Sequence, residues 1–183
     1  GLEGIYFVAM KWPEASTNAA DIQWLADAGF EMTSIYHFMD DGGKAVTRRK
    51  FNFDLVVDAS KPFWEQRNET GILPFLPNLS TGWDDRPWND HCWIAERTSD
   101  KFAEICRQFK QFSKESGITR AVLAPVNEWG EGSYAEPCRE FGFGMYEAVR
   151  DNLCEEPASG WPLNYGPKDV GLGPYEYTEG AKY

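Results

Sequence analysis

Ala121-Val122-Leu123-Ala124-Pro125-Val126-Asn127-Glu128-Trp129-Gly130-Glu131-Gly132 is the stretch that decides the fold. An apolar run of strand length stops on Asn127-Glu128, and a second carboxylate follows three residues later, between two glycines. A buried strand that ends this way delivers a fixed carboxylate to the edge of a sheet, and the glycines allow the backbone to turn sharply enough to bring Glu131 round. Two acids beside an indole suit sugar chemistry: one carboxyl protonates a leaving oxygen, its neighbour handles the other half of the reaction, and aromatic faces hold the ring.

Working outward, the chain reads as strand followed by helix, four times over. Ile5 to Ala9 is an apolar run, after which Asn18 caps a helix with Ile22, Leu25 and Ala26 inside and Gly29 at its end. Met32 to Phe38 is the second strand, followed by a polar loop and a helix from Pro62 to Thr70, where proline suits a first turn. Ile72 to Leu79 is the third strand. Ser99 then opens the clearest helix, with Phe102, Ile105, Cys106, Phe109 and Phe112 at helical spacing before Gly117. Ala121 to Glu128 is the fourth strand, and a last helix carries Phe141, Met145 and Val149 on one face. Residues 1–155 are expected to form one domain and 156–183, rich in Gly and Pro without periodicity, an irregular tail.

Alternating strands and helices imply an α/β fold with parallel (β/α) units, in which every strand's C-terminal end lies on the same rim. Polar and aromatic residues gather at those ends: Lys11-Trp12, Tyr36-His37, Asn78 with Trp83-Asp84, and Asn127-Glu128. Active sites occupy that rim in barrels and open sheets alike. A (β/α)8 TIM-type barrel needs about 250 residues, so four units in 183 residues read as a partial barrel.

Composition narrows the partners. A formal charge of −11 repels phosphate backbones, no basic stripe interrupts it, and nucleic acid is a poor partner. No apolar run has the length of a membrane span, so a soluble chain without membrane insertion is expected. Eight tryptophans suit stacking platforms for sugars and suit packing equally. Cys92, Cys106, Cys138 and Cys154 form no CxxC pair and have only His37 and His91 to join them, so no metal site is expected. Buried free thiols are the expectation, with one disulfide as the alternative. The opening Gly1-Leu2-Glu3 lacks the basic and apolar regions of a signal peptide.

The run Asn127-Glu128-Trp129-Gly130-Glu131-Gly132, continued by Tyr134 and Glu136-Pro137, resembles the "NEWxEG...EP" signature of the glycoside hydrolase family 99-like group, which includes endo-α-mannosidases and bacterial polysaccharide-processing proteins. Gly82-Trp83-Asp84-Asp85-Arg86-Pro87 is similar to that group's "GWDxxP" loop. Together the motifs cover about a tenth of the chain. The resemblance implies a (β/α)8 barrel, no cofactor, a polysaccharide or glycan substrate, a secreted or periplasmic location ahead of a cytoplasmic one, and retention of configuration through a 1,2-anhydro sugar. It makes Glu128 the base that helps the substrate's 2-hydroxyl attack its own anomeric carbon, and Glu131 the general acid and then the general base. Endo-mannosidases carry histidine where Gly130 stands, as in "EWHEG", so the wider bacterial branch is the better match. A half-barrel would also leave a face for self-association.

Asn127, Trp129, Tyr36, His37, Asn78, Trp83, Asp84 and Tyr134 are the candidate substrate-binding residues. Each site also has a plainer reading. Glu128 caps the next turn or pairs with Arg120 or Arg139; Trp83-Asp84 is a turn held by the Asp side chain; Tyr36-His37 is a rim pair without a ligand; Trp12, Trp88 and Trp93 are packing residues first. Two alternatives accompany the hydrolase reading: a carbohydrate-binding or scaffold remnant that keeps the rim without turnover, and a retaining glycosidase of the large Asn-Glu barrel clan. In that clan Glu128 is the acid/base, and the nucleophile comes from another strand.

Overall fold

The computed structural model describes residues 4–10, 18–36, 50–88, 93–166 and 169. His37, Lys11-Trp12, His91 and Cys92 lie outside the described residues, as does most of the segment after 166. Among the described residues the elements of regular structure occur in the order β1 (Val8–Met10), α1 (Ala19–Asp27), β2 (Met32–Ser34), β3 (Lys50–Asn52), α2 (Phe53–Asn68), β4 (Asn78–Ser80), β5 (Trp93–Ala95), α3 (Ser99–Ser116), β6 (Val122–Ala124), β7 (Asn127–Glu128), a 3-10 turn (Trp129–Glu131), β8 (Ser133–Tyr134) and α4 (Gly144–Leu153). None of the described helices is long and apolar enough to cross a membrane.

The helices follow their apolar spacing. In α3 the residues Phe102, Ile105, Cys106, Phe109 and Phe112 are all buried, Thr98 caps the start by accepting from the Lys101 amide at 3.2 Å, and Gly117 ends it at φ 77°. Asn18 caps α1, accepting from the Ala20 amide at 2.9 Å, and Ile22 and Leu25 are buried as expected. The second helix corrects the reading of Pro62 as a first turn: α2 begins nine residues earlier at Phe53, capped by Asn52, and carries Pro62 in its interior. An interior proline costs about 3 kcal/mol. Burial of Phe53, Val56 and Trp64, at about 1.5–3 kcal/mol each, outweighs it. The groups around the proline find other partners, with Ser60 Oγ donating to the Val56 carbonyl at 2.6 Å and the Lys61 amide to Gln108 Oε1 of α3 at 3.2 Å.

The strands are shorter than their apolar runs. β1 pairs parallel with β2 (Val8↔Met32), β2 reaches the segment before β4 through a parallel bridge (Thr33↔Phe75), and β4 pairs parallel with β6 (Asn78↔Val122). Each of these strands therefore lies beside its predecessor in an α/β arrangement of parallel pairs. Ile5, Tyr6 and Phe7 precede β1 and are exposed, so the first strand starts later than the run suggests. The fourth strand stops at Ala124, because Pro125 has no N–H to extend the ladder. Of residues 121–126 only Ala124 is fully buried, and Val126 is exposed, which corrects the expectation of a buried strand throughout.

Two further strands were not legible as strands. β3 and β5 pair parallel (Phe51↔Ile94), each immediately or closely preceding a helix, and β5 is joined to the loop after β4 by the Ile94 amide donating to the Trp83 carbonyl at 2.8 Å. The main core lies between the strands and α2, α3 and α4, with Trp64 edge-on to Phe109 and Phe112 at centroid distances of 6.3 and 5.9 Å. A smaller cluster of Ala9, Ile22, Leu25 and Leu73 seats α1.

The thiols divide three ways. Cys106 is buried, and burial pushes its pKa up to about 12, whereas Cys138 is half-buried and Cys154 exposed, so buried thiols describe one of the three. All three are free. After α4 the described residues to 166 have no helix or strand, yet they return to it, with Asn164 Nδ2 donating to Glu147 at 2.7 Å and the Arg150 guanidinium 5.5 Å over the Trp161 ring.

Trp64 is fully enclosed, whereas Trp24 on α1 is 64% exposed. Trp64→Ala is expected to destabilise the chain by about 3–5 kcal/mol, and Trp24→Ala to stay within about 0.5 kcal/mol. Chemical denaturation checks both, and similar losses for the two would contradict this core.

Candidate active site

Glu128 and Glu131 are set by a tight hairpin. β7 pairs antiparallel with β8 (Asn127↔Tyr134, Glu128↔Ser133), and the 3-10 turn between them carries Glu131 as its last residue. Gly132 then turns the chain at φ 59°, and a Cβ there would lie 2.5 Å from Asp84 Cβ, so both its conformation and its closeness to the loop after β4 require glycine. That loop is fastened to the hairpin by the Asp84 amide donating to the Glu131 carbonyl at 2.6 Å and Ser133 Oγ donating to the Gly82 carbonyl at 2.5 Å.

Tyr36 completes the carboxylate pair from the end of β2. Its hydroxyl donates to Glu128 Oε2, a contact across 92 residues of sequence. Burial and the Glu128 carboxylate, with a smaller contribution from Glu131, push the phenol up to about 12, so it stays a donor. Burial raises the Glu131 pKa above the ordinary carboxylate value, and the negative charges of Glu128 and Asp85 add to it. A neutral carboxyl therefore survives at Glu131 to higher pH than it would in water.

The other expected residues divide by role. Asn127 is exposed on β7, and Trp129 is 48% exposed, its ring stacked on Tyr134 at 4.1 Å and its Nε1 donating to Glu136 at 2.9 Å. Tyr134 donates its hydroxyl to Glu140, and burial, followed by that bond, pushes it up to about 12. Asn78 differs from the expectation: it is fully buried at the start of β4, and its amide donates to the carbonyls of Ile35 at 3.1 Å and Tyr36 at 2.5 Å. Its amide nitrogen holds the tyrosine's backbone, while its buried Oδ1 has no hydrogen-bond partner. Trp83 is partly buried against the main core. Asp84 is occupied by Arg86, whose Nε and Nη2 reach its two oxygens at 2.7 and 2.5 Å, and these hydrogen bonds, with a smaller contribution from the guanidinium charge, keep the Asp84 pKa low. The plainer pairing of Glu128 with Arg120 is not what forms, since the Arg120 guanidinium lies 5.2 Å over the Tyr6 ring.

Three residues were missed as parts of the site. Asp85, almost fully buried, is the second acid that raises Glu131. Arg97, with a side chain only 8% exposed, donates to the carbonyls of Thr81 at 3.0 Å and of Gly132, and lies 4.8 Å over the Tyr134 ring. Its partners are backbone carbonyls, which leave no mark in a sequence. Trp88, first read as packing, is 59% exposed and donates its Nε1 to the Gly130 carbonyl at 2.8 Å, which corrects that reading. Its neighbourhood within the Gly82-to-Pro87 motif was the available signal.

A cavity of about 270 Å³ adjoins the hairpin, lined by Asp84, Arg86, Trp93, Arg97, Tyr134 and Glu140 among others, without Tyr36, Glu128 or Glu131. Asp84 pairs there with Arg86 and Glu140 with Arg97 at 3.5 Å, while Glu96, which also lines it, accepts from Asn52 Nδ2 at 2.7 Å. Glu128 and Glu131 lie outside this lining, as like charges that act on each other. Among the described residues no group of three or more His, Cys, Asp and Glu side chains has the placement of a metal site.

Arg97→Leu leaves the Thr81 and Gly132 carbonyls without their charged donor, and a loss of about 1.5–3 kcal/mol is expected. Hydrogen exchange should show the Asp84 amide opening faster in this variant. Unchanged protection there would mean that Arg97 does not hold the hairpin.

Comparison with protein-family models, with curated proteins and with solved structures returns no match.

Proposed function

We propose that the chain is a glycoside hydrolase of the family 99-like type, acting on a polysaccharide or glycan with retention of configuration. The parallel strands β1, β2, β4 and β6, paired as β1–β2 and β4–β6 and linked by the Thr33–Phe75 bridge, support reading the chain as part of a (β/α)8 barrel. The observation that carries the reading is the Tyr36–Glu128 hydrogen bond, because it joins the exits of the second and fourth of those strands around a carboxylate that already has Glu131 beside it. A carboxylate pair at strand exits is where sugar hydrolysis is performed in barrels.

The reaction divides between the two acids. Glu128, oriented by the Tyr36 hydroxyl, takes the proton of the substrate's 2-hydroxyl as that oxygen attacks C1. Glu131 gives its proton to the departing glycosidic oxygen, and the C1–O bond to the leaving group breaks. The product of this step is a 1,2-anhydro sugar. Glu131, now ionised, takes a proton from water as the water oxygen attacks C1, and Glu128 returns its proton to O2 as the C1–O2 bond opens. Inversion at C1 twice gives net retention. An acid that must protonate a poor leaving group needs a raised pKa, and Glu131 is the carboxyl that burial and two negative neighbours favour in the neutral form. The Asn-Glu clan would place the acid at Glu128 and leave Glu131 dispensable, so this asymmetry favours the family 99-like assignment.

The variants separate the roles. Glu131→Gln is expected to lose most on natural glycans and to recover its first step on a glycosyl fluoride, whose leaving group needs no proton. Glu128→Gln should lose ~10²–10⁴-fold on both substrates, because the 2-hydroxyl lacks its base. Tyr36→Phe should lower kcat about tenfold with little change in KM, the loss of one oriented hydrogen bond. Wild-type activity of Glu131→Gln on the natural glycan would exclude the mechanism. Glycan binding with no turnover by the unmutated chain would favour a binding module.

A further inference from the structure

Two tryptophans are fixed at the turn that carries Glu131, Trp129 as its first residue and Trp88 bonded to its middle one. Trp88 is 59% exposed and Trp129 is 48% exposed, yet neither offers its polar edge to solvent, since the Trp88 Nε1 donates to the Gly130 carbonyl and the Trp129 Nε1 to Glu136. An indole N–H that is already satisfied by the protein leaves its apolar ring as the surface on offer. Tyr134 backs Trp129 as a nearly parallel ring, 17° between planes, so its orientation is set before anything binds. Trp88 is pinned to Gly130, which stands directly between Trp129 and Glu131 in the chain. Exposure of two large apolar rings at one turn runs against burial, and immobilising both lowers the cost of ordering these side chains when a ligand stacks on them.

The geometry points to Trp88 and Trp129 as two ring-stacking platforms beside the Glu128–Glu131 pair, engaging neighbouring residues of one neutral glycan chain. This rests on the hydrolase reading for its orientation and goes beyond it in naming the class of sugar. Stacking needs a C–H face, and the surroundings bar anionic sugars: Glu128, Glu131, Asp84, Asp85 and Glu136 all lie on this hairpin or the loop fastened to it, in a chain of net charge −11. Arg86, the cation nearest in sequence, is committed to Asp84 and to the Trp93 ring 4.5 Å away. Among the described residues, a uronate-rich chain therefore meets more repulsion than attraction at this turn.

The test is binding, which does not require turnover. Linear oligosaccharides cut from mannan, glucan and galactan, and one cut from polygalacturonate, are titrated into the Glu131→Gln chain while the indole Nε1–H resonances are followed by NMR. At least one neutral oligosaccharide should shift the Trp88 and Trp129 signals together, and the galacturonate chain should not. In the same background Trp88→Ala and Trp129→Ala should each weaken that binding about tenfold, and Trp88→Phe, which keeps an aromatic face, should lose less. Binding unchanged in both alanine variants, tighter binding of the galacturonate chain, or no shift with any oligosaccharide would overturn the proposal. If the platforms bind while the unmutated chain turns over none of these glycans, the catalytic reading fails and the platform assignment stands.

Discussion

The rim of this fold depends on one buried amide. β2 ends at Ser34, so the next carbonyls, Ile35 and Tyr36, have run out of ladder partners just as the chain passes from the buried Ile35 to the exposed Tyr36. Asn78, at the start of β4 and without any exposed surface, supplies donors to both. Each such bond contributes about 0.5–1.5 kcal/mol net, but a buried carbonyl left unpaired costs about 1–3 kcal/mol, so the amide decides where the chain after β2 goes. It goes toward the end of β6, and Tyr36 meets Glu128. The parallel register of β4 with β6, Asn78 opposite Val122, fixes the other half of that meeting.

The hairpin that carries the acids is held from behind. Arg97 replaces water for two carbonyls, Ser133 reaches Gly82, and the Asp84 amide takes the Glu131 carbonyl, so the loop after β4 and the hairpin after β6 behave as one piece. Cations near the site are spent on this framework: Arg86 on Asp84 and Arg97 on backbone and Glu140. Glu131 is left with Glu128 and Asp85 as charged neighbours, which favours its neutral form.

Much of this was legible from residues alone, and the failures have physical causes. The apolar stripe of α3 and the Asn18 cap of α1 are local signals that tertiary contacts only reinforced. Pro62 misled because proline's preference for a first turn is weaker than the burial of a stripe running from Phe53 to Arg67. β3 and β5 are three residues each and exist through each other, a pairing that local periodicity does not encode. Glu128 and Glu131 stood out because a strand-ending carboxylate and a glycine-flanked second acid are sequence features. Asp85 and Arg97 did not, since one acts by burial and the other through backbone carbonyls. Asn78 was read as substrate-binding, and its Nδ2 turns to main chain, because an asparagine's sequence position does not say which way its amide faces.

The central claim is that enclosure and the charge of Glu128 raise the pKa of Glu131 above that of a free carboxyl, and the most direct measurement is a carbon-13 NMR titration of the glutamate carboxyls in the wild-type chain and in Glu128→Gln. The account predicts that the Glu131 carboxyl titrates above the ordinary range near 4.3 and moves down when Glu128 loses its charge, because one source of repulsion against its ionised form is gone. A Glu131 carboxyl that titrates at or below the ordinary value, or that ignores the Glu128→Gln substitution, would contradict it.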